Sequence, residues 1–337
     1  MPSAKTLQRE SAPLASVVEQ MHQRVGVELT RLNEVPLESR QVVEDNLHRP
    51  GLVLAGYADH FQPQRIQILG NTESRYLESL PEDERHRAVR RLVGFDVPVL
   101  IYTNGNVPGS DSLALATEAG VPVLATAMPT TRFMALLDGY LNDLFAPYTT
   151  LHGSLVDVYG VGMLLMGRSG IGKSEVALDL VERGHRLVAD DVVVATRTEE
   201  TVVMGAGTDL VQHFMEIRGL GLLDIRSMFG VRAVRFQKRI EVVVQMMMWD
   251  KDEEYTRLGM ADGSYDLLGV KLPEVKLPIT PGKNVTVICE VIAMNYLLRH
   301  YGYDPAEVFA ERLAQRIADK SSGSPGRMGV YFENDRE

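Results

Sequence analysis

The chain has 337 residues, 45% hydrophobic and 24% charged, with a formal net charge of −10; that length suggests two domains, each able to bury a core. The acidic balance argues against nucleic acid as the main partner and suits a basic partner protein better. The single cysteine, Cys289, rules out an internal disulfide, no run reaches the ~18 apolar residues of a membrane span, and the first residues lack a signal-peptide layout, so a cytoplasmic protein away from membranes is expected.

Residues 1–15 carry little pattern. Val17 to Val25 has helical spacing, and Arg49-Pro50-Gly51 breaks the chain before the apolar Leu52 to Ala55. Ile66 to Gly70 predicts a short strand, Pro81 to Val93 a charged helix and Val97 to Tyr102 the next strand. Asp111 to Ala119 predicts a helix stopped by Gly120, and Val121 to Leu124 a third strand. Strand and helix in alternation imply an α/β unit with parallel pairing. Its histidines, such as His48, His60 and His86, read as surface or packing residues. Thr131 to Phe145 predicts a helix that Pro147 ends, so the expected division is 1–145 and 146–337.

Next comes a hairpin signature, Leu155 to Tyr159, a Gly160 turn, and Val161 to Met166. It feeds directly into Gly167-Arg168-Ser169-Gly170-Ile171-Gly172-Lys173-Ser174, which fits G-x-x-x-x-G-K-[ST], the phosphate-binding loop. Its glycines let backbone N–H groups converge on a phosphate chain. The following helix adds the positive end of its dipole. Lys173 would reach the β- and γ-phosphates of a nucleotide, and the Ser174 hydroxyl would bind Mg²⁺. Four fixed positions arise by chance in roughly one chain of this length in a hundred, and the strand–loop–helix setting makes accident rarer still. Val176, Ala177, Leu180 and Val181 share a helical face, and Asp179 and Arg183 form an expected i,i+4 pair before Gly184.

Further strands are expected at Val192 to Thr196, Phe214 to Ile217 and Ile240 to Met248, with the methionine run at 246–248 in the sheet core. Arg218-Gly219-Leu220-Gly221 reads as a turn, and residues 250–284, polar and rich in Pro and Gly, as loops. Val285 to Leu298 predicts a helix with Ile288, Val291, Ile292 and Leu298 aligned and Cys289 in core packing. A last helix starts at Asp304-Pro305-Ala306-Glu307 with Pro at N1, and Phe309, Leu313 and Ile317 line one face of it. The tail from Ser321 onward reads as flexible.

Phosphoryl transfer needs charge neutralisation, a metal and a way to move the acceptor's proton. Asp190-Asp191 ends an apolar strand, where adjacent side chains point to opposite faces. One carboxylate is therefore expected to face Mg²⁺ and the other the acceptor. Glu216 is a second carboxylate at a strand end. Taken alone, Glu216 reads as a surface residue, His152 as structural and Arg257 as a loop cation.

These residues form a set through resemblance to a family. Leu151-His152-Gly153, Val156 to Gly162, the phosphate loop and Arg183 to Asp191 resemble HPr kinase/phosphorylase. So do Glu216-Ile217-Arg218-Gly219-Leu220-Gly221, Arg257-Leu258-Gly259 and Pro278 to Asn284. In the first half, Arg49-Pro50-Gly51, Ile68-Leu69-Gly70, Val121 to Leu124 and Thr130-Thr131-Arg132 also match. The resemblance implies a bifunctional enzyme that phosphorylates a serine of the phosphocarrier HPr with ATP or pyrophosphate. It also implies removal of that phosphate by phosphorolysis, releasing pyrophosphate. It implies a homohexamer, an N-terminal α/β domain resembling one from Mur ligases, and a catalytic phosphate-loop domain related to phosphoenolpyruvate carboxykinase. Carried over, Asp191 takes the seryl proton forward and returns it in reverse. His152, Lys173 and Arg257 surround the transferring phosphate, and Ser174 and Glu216 hold Mg²⁺. The role of Asp190 is left open. One departure stands out: the family's arginines around Pro-Gly are replaced by Thr280 and Lys283, which bears on the reverse reaction. The competing readings are a kinase of another protein or small molecule, and a nucleotide-binding regulator without turnover.

Overall fold

The structure is a computed structural model and describes residues 5–208, 212–250, 263–280 and 282–321. It falls into two compact units, Leu7–Pro147 and Met1–Thr6 with Tyr148–Glu337.

The first unit is a sheet with helices on both faces. Its elements are β1 (Ala12–Pro13), α1 (Leu14–Val25), β2 (Thr30–Arg31), β3 (Gln41–Val42), β4 (Leu47–His48), α2 (Gly51–Leu54) and β5 (Ile66–Leu69). There follow α3 (Asn71–Ser79), α4 (Glu82–Val93), β6 (Leu100–Tyr102), α5 (Ser110–Glu118), β7 (Val123–Ala125) and α6 (Thr130–Phe145). The sheet order is β2-β7-β6-β5-β4, with β4 to β7 parallel and β2 antiparallel. Ile66, Ile68 and Ile101 pack against α1 and α6 on one face. Leu69, Leu100 and Tyr102 pack against α2, α4 and α5 on the other. The N-terminal stretch is more ordered than its composition suggests: β1 pairs with β3, and Ala12 and Leu14 are buried. His86 pairs with Asp111, and His48 bonds Gln67 and stacks on Phe61.

The second unit runs β8 (Tyr148–His152), β9 (Ser154–Val158), β10 (Val161–Met166), α7 (Lys173–Glu182), β11 (Arg186–Ala189), β12 (Val192–Glu199) and β13 (Val202–Ala206). It continues through β14 (Phe214–Ile217), β15 (Gly221–Asp224), α8 (Ile225–Phe229), β16 (Gln237–Arg239) and β17 (Val242–Met248). It ends with β18 (Gly263–Leu267), β19 (Val270–Ile279), α9 (Val285–His300) and α10 (Pro305–Ser321). A six-stranded sheet, β11-β9-β10-β17-β19-β18, is covered on one face by α7 and α9. Its other face packs on the four-stranded sheet β16-β13-β12-β8. The hairpin into the phosphate loop forms as expected, β9 antiparallel to β10, turning through Tyr159 at φ 53° and Gly160 at φ 87°. Two successive positive φ values suit the twist of a tight hairpin.

Three expectations fail. Residues 263–279 are strands, not loops, and β19 sits inside the large sheet. Prolines ordinarily argue against an inner strand. Among the described residues, Pro273 pairs with β18, before the β17 ladder begins, and Pro278 pairs with β17. In α9 Ile292 and Cys289 are buried and Ile288 packs on the core as expected, but Thr286, Glu290 and Ala293 share the buried side, while Val291 and Leu298 are exposed. That helix is apolar nearly all round, so spacing alone does not pick the face. Arg183 does not serve Asp179; its guanidinium donates both ways to Glu290 on α9, at 2.9 and 2.7 Å. A fixed two-pronged carboxylate geometry outweighs an exposed i,i+4 pair. The flexible tail expected from Ser321 onward lies, from residue 322, outside the described residues.

Candidate active site

Strand direction brings the site together. β10, β17 and β19 run parallel, and β9 lies antiparallel between β10 and β11. The end of β10, the end of β11 and the start of β9 therefore meet at one end of the sheet. From there come the phosphate loop, Asp190-Asp191 and Ser154. In the second sheet His152 at the end of β8 pairs with Val192, which sets it beside Asp191.

The phosphate loop is shaped by close backbone contact. Gly167 has φ 150°, and a Cβ there would lie 2.5 Å from the Met246 carbonyl oxygen. Gly172 takes φ 103° as the residue before α7. Both conformations belong to glycine. Lys173 is buried, and its ammonium donates to the carbonyls of Gly167 (3.1 Å) and Arg168 (3.3 Å) and to His152 Nε2 (3.3 Å). Burial holds its pKa below the usual lysine value, with Asp190 and Asp191 pulling the other way.

The two aspartates differ by burial, not by strand face. β11 stops at Ala189, and Asp190 and Asp191 form a bend, so alternation does not apply. The Val192 N–H donates to the Asp190 carbonyl across Asp191, whose φ is 64°. That is a γ-turn of the strained, positive-φ kind. Asp190 is buried; its Oδ1 accepts from Ser154 Oγ (2.5 Å) and Ser174 Oγ (3.1 Å). Its Oδ2 is buried with no hydrogen-bond partner. Burial pushes its pKa above the usual carboxylate range, against those hydrogen bonds. Asp191 is exposed, and its Oδ1 lies 2.9 Å from His152 Nδ1. Because the Lys173 ammonium can only donate, His152 Nε2 must accept. His152 Nδ1 also lies 3.1 Å from the Asp191 backbone carbonyl, so the ring is held between Lys173 and Asp191.

A cavity of about 170 Å³ gathers His152, Ser169, Gly170, Gly172, Lys173, Ser174, Asp190, Asp191 and Glu216. Gly167, Arg168 and Ile171 complete the loop around it. Arg257 lies outside the described residues, as does Pro281. Thr280 follows β19, whose end is on the phosphate-loop side of the sheet. The Lys283 ammonium sits 3.4 Å from the Pro278 carbonyl. Two residues are additions to the sequence reading, Arg218 in the lining and Ser154 buried behind it. Arg218 reaches over the loop toward Ser169 Oγ (3.4 Å) and lies against Gly170. Its spacing of two from Glu216, which puts both on one side of an extended chain, was the available signal. Ser154 carried no signal, because its partner is distant in sequence.

The oxygen donors of Ser174, Asp190 and Glu216 suit a hard divalent cation, and the orphaned Asp190 Oδ2 is an acceptor that such an ion's water shell would satisfy. Among the described residues no cluster of three or more His, Cys, Asp or Glu is placed to hold a metal unaided. Among the described residues no helix is long and apolar enough to cross a membrane.

Comparison with known proteins bears on the family of the chain. The model of the HPr serine kinase C-terminal domain matches residues 143–313, and that of the HPr serine kinase N terminus matches residues 15–141. The chain is 50% identical over 335 residues to the HPr kinase/phosphorylase of Chloroherpeton thalassium, covering 99% of this chain and 98% of that one. It is 48% identical over 334 residues to the HPr kinase/phosphorylase of Prosthecochloris aestuarii, with the same coverage. A solved structure of the Hpr(Ser) kinase/phosphatase from Coxiella burnetii is 30% identical, with a TM-score of 0.42, covering 48% of this chain and 98% of that one. With both domain models matched in order and near-full-length relatives at this identity, the chain belongs to the HPr kinase/phosphorylase family.

Proposed function

We propose that the protein transfers phosphate from ATP or pyrophosphate to a serine of HPr, and removes it again by phosphorolysis. The observation that carries this reading is one cavity holding a phosphate loop, a buried Asp190 on Ser174 and an exposed Asp191 on His152. In the forward direction the seryl oxygen attacks the terminal phosphorus of the donor. Its proton passes to Asp191, and the bond to the leaving phosphate oxygen breaks. In reverse, an oxygen of inorganic phosphate attacks the phosphoserine, the seryl oxygen leaves with a proton from Asp191, and pyrophosphate forms. One carboxylate serves both directions by microscopic reversibility.

Lys173, His152 and Arg257 surround and orient the transferring group, and the two cations among them offset its charge. Arg218 adds a cation over the loop. Ser174, Glu216 and Asp190 would hold Mg²⁺, which when bound would screen the phosphate charge. The reading extends to a cytoplasmic homohexamer. It is supported by apolar side chains left exposed on α9 (Val291, Met294, Leu298) and α10 (Phe309, Leu313, Ile317). It includes kinship of the first unit with a Mur ligase domain and of the second with phosphoenolpyruvate carboxykinase. The test is incubation with labelled ATP and purified HPr. The wild type should label HPr on serine, and Lys173→Ala should not; unlabelled HPr with labelled small metabolites would favour another acceptor.

A further inference from the structure

We infer that Ser154 is a positioning residue of this site: its hydroxyl holds the Asp190 carboxylate, leaving the Ser174 hydroxyl free to serve a cation. This rests on the proposed cation site at Ser174, Asp190 and Glu216.

Ser154 opens β9, where side chains alternate between the two faces of the sheet. Val156 and Val158, two and four residues on, pack in the core beneath α7. Ser154 thus occupies an apolar-face position, at the sheet end where α7 and its phosphate loop begin. It is wholly buried. A hydroxyl there is unfavourable unless it is hydrogen-bonded. Its bond goes to Asp190 Oδ1 at 2.5 Å, shorter than the 3.1 Å bond from Ser174 to the same oxygen.

The two donors differ in what holds them. Ser174 sits in the first turn of α7, next to the loop that must accept a nucleotide. Ser154 is fixed by strand pairing on both sides of β9, at its first residue with Leu165 and at its second with Ala189. A carboxylate anchored from the sheet keeps its orientation while Ser174 changes partners. Partners of this kind, one step removed from the ion, are commonly worth 10- to 100-fold in metal affinity.

The test uses the full-length protein and Mn²⁺ as the probe, with bound ion read by electron paramagnetic resonance in the presence of a non-hydrolysable ATP analogue. Ser154→Ala should weaken Mn²⁺ binding about tenfold, leaving metal-free analogue binding and the melting curve near wild type. Ser154→Thr, which keeps the hydroxyl, should recover most of the affinity. Should the alanine variant prove unstable, Ser154→Cys, close in size with a weak donor, should show the same loss. Unchanged Mn²⁺ affinity in Ser154→Ala overturns the inference, as does an equal loss of metal-free analogue binding. Asp190→Asn separates the two levels. If it too leaves Mn²⁺ binding intact, the cation site itself is wrong; if it weakens binding while Ser154→Ala does not, only the positioning role falls.

Discussion

Asp191 is the residue at which geometry and chemistry converge. A γ-turn with φ 64° lifts its carboxylate out of the sheet into solvent, 2.9 Å from His152 Nδ1. Asp190, one residue earlier, is enclosed by two serine hydroxyls and has no comparable access. Asp191→Asn keeps the shape but removes the proton acceptor. Both HPr phosphorylation and phosphorolysis should fall by about 10²-fold or more, with binding of an ATP analogue retained. Measuring the two directions separately checks this, and survival of either would show that Asp191 is not the shared group. At Thr280 the expected change is one-sided. Phosphorolysis brings two anions together, so it depends more on nearby cations than transfer from a covalently joined, metal-bound nucleotide does. Lys283, drawn toward the Pro278 carbonyl, lacks the planar fork of arginine. Thr280→Arg should lower the phosphate concentration giving half-maximal pyrophosphate release, with little change in kinase rate. A phosphate titration that does not move would remove this loop from the balance.

Among elements, the contact between α7 and α9 has a consequence for acid stability. Glu290 on α9 accepts from both Arg183 nitrogens and lies 3.1 Å from His185 Nε2. The hydrogen bond from Arg183 holds the Glu290 carboxyl below its usual value of 4.5, and His185 adds to this. A carboxylate depressed on folding stabilises the native state fully above its unfolded pKa, and loses that contribution as pH falls through the folded one. Glu290→Gln should therefore melt lower than wild type at pH 7. The gap should narrow once pH drops below about 4.5. Thermal melts of the two proteins from pH 7 to pH 3 measure it. A gap that stays constant with pH would mean that packing, not charge, is what Glu290 contributes. The same clamp ties the far end of α7, the phosphate-loop helix, to α9, its neighbour on the same face of the sheet.

At the scale of the molecule, every sheet lies within one unit, and each unit has its own buried clusters. Leu7–Pro147 expressed alone should unfold in one cooperative transition. ATP should leave that transition unmoved while raising that of the intact chain, because a ligand stabilises only the fold that binds it. Scanning calorimetry with and without nucleotide decides. A fragment without a cooperative transition would show that this unit needs the rest of the chain to fold.

What the sequence by itself determined is local. Gly167 to Ser174 dictates a phosphate loop through backbone freedom and helix polarity, and Tyr159-Gly160 dictates a tight turn. The Val, Ile and Leu runs dictate strands, and their spacing with helices dictates an α/β protein. Only the tertiary structure decided how distant segments meet. Strand β19 was illegible because its prolines are harmless only in a particular register with β17 and β18. The buried face of α9 was illegible because an all-round apolar helix has its face chosen by what packs on it. The division of labour between Asp190 and Asp191 was expected from strand alternation, and comes instead from a bend. Ser154 reaches Asp190 across neighbouring strands, a contact with no trace in local spacing. Periodicity and backbone preference act over a few residues and can be read along the chain. Pairing register and burial are set by partners tens of residues away, and these place the carboxylates, the serine and the lysine around one cavity.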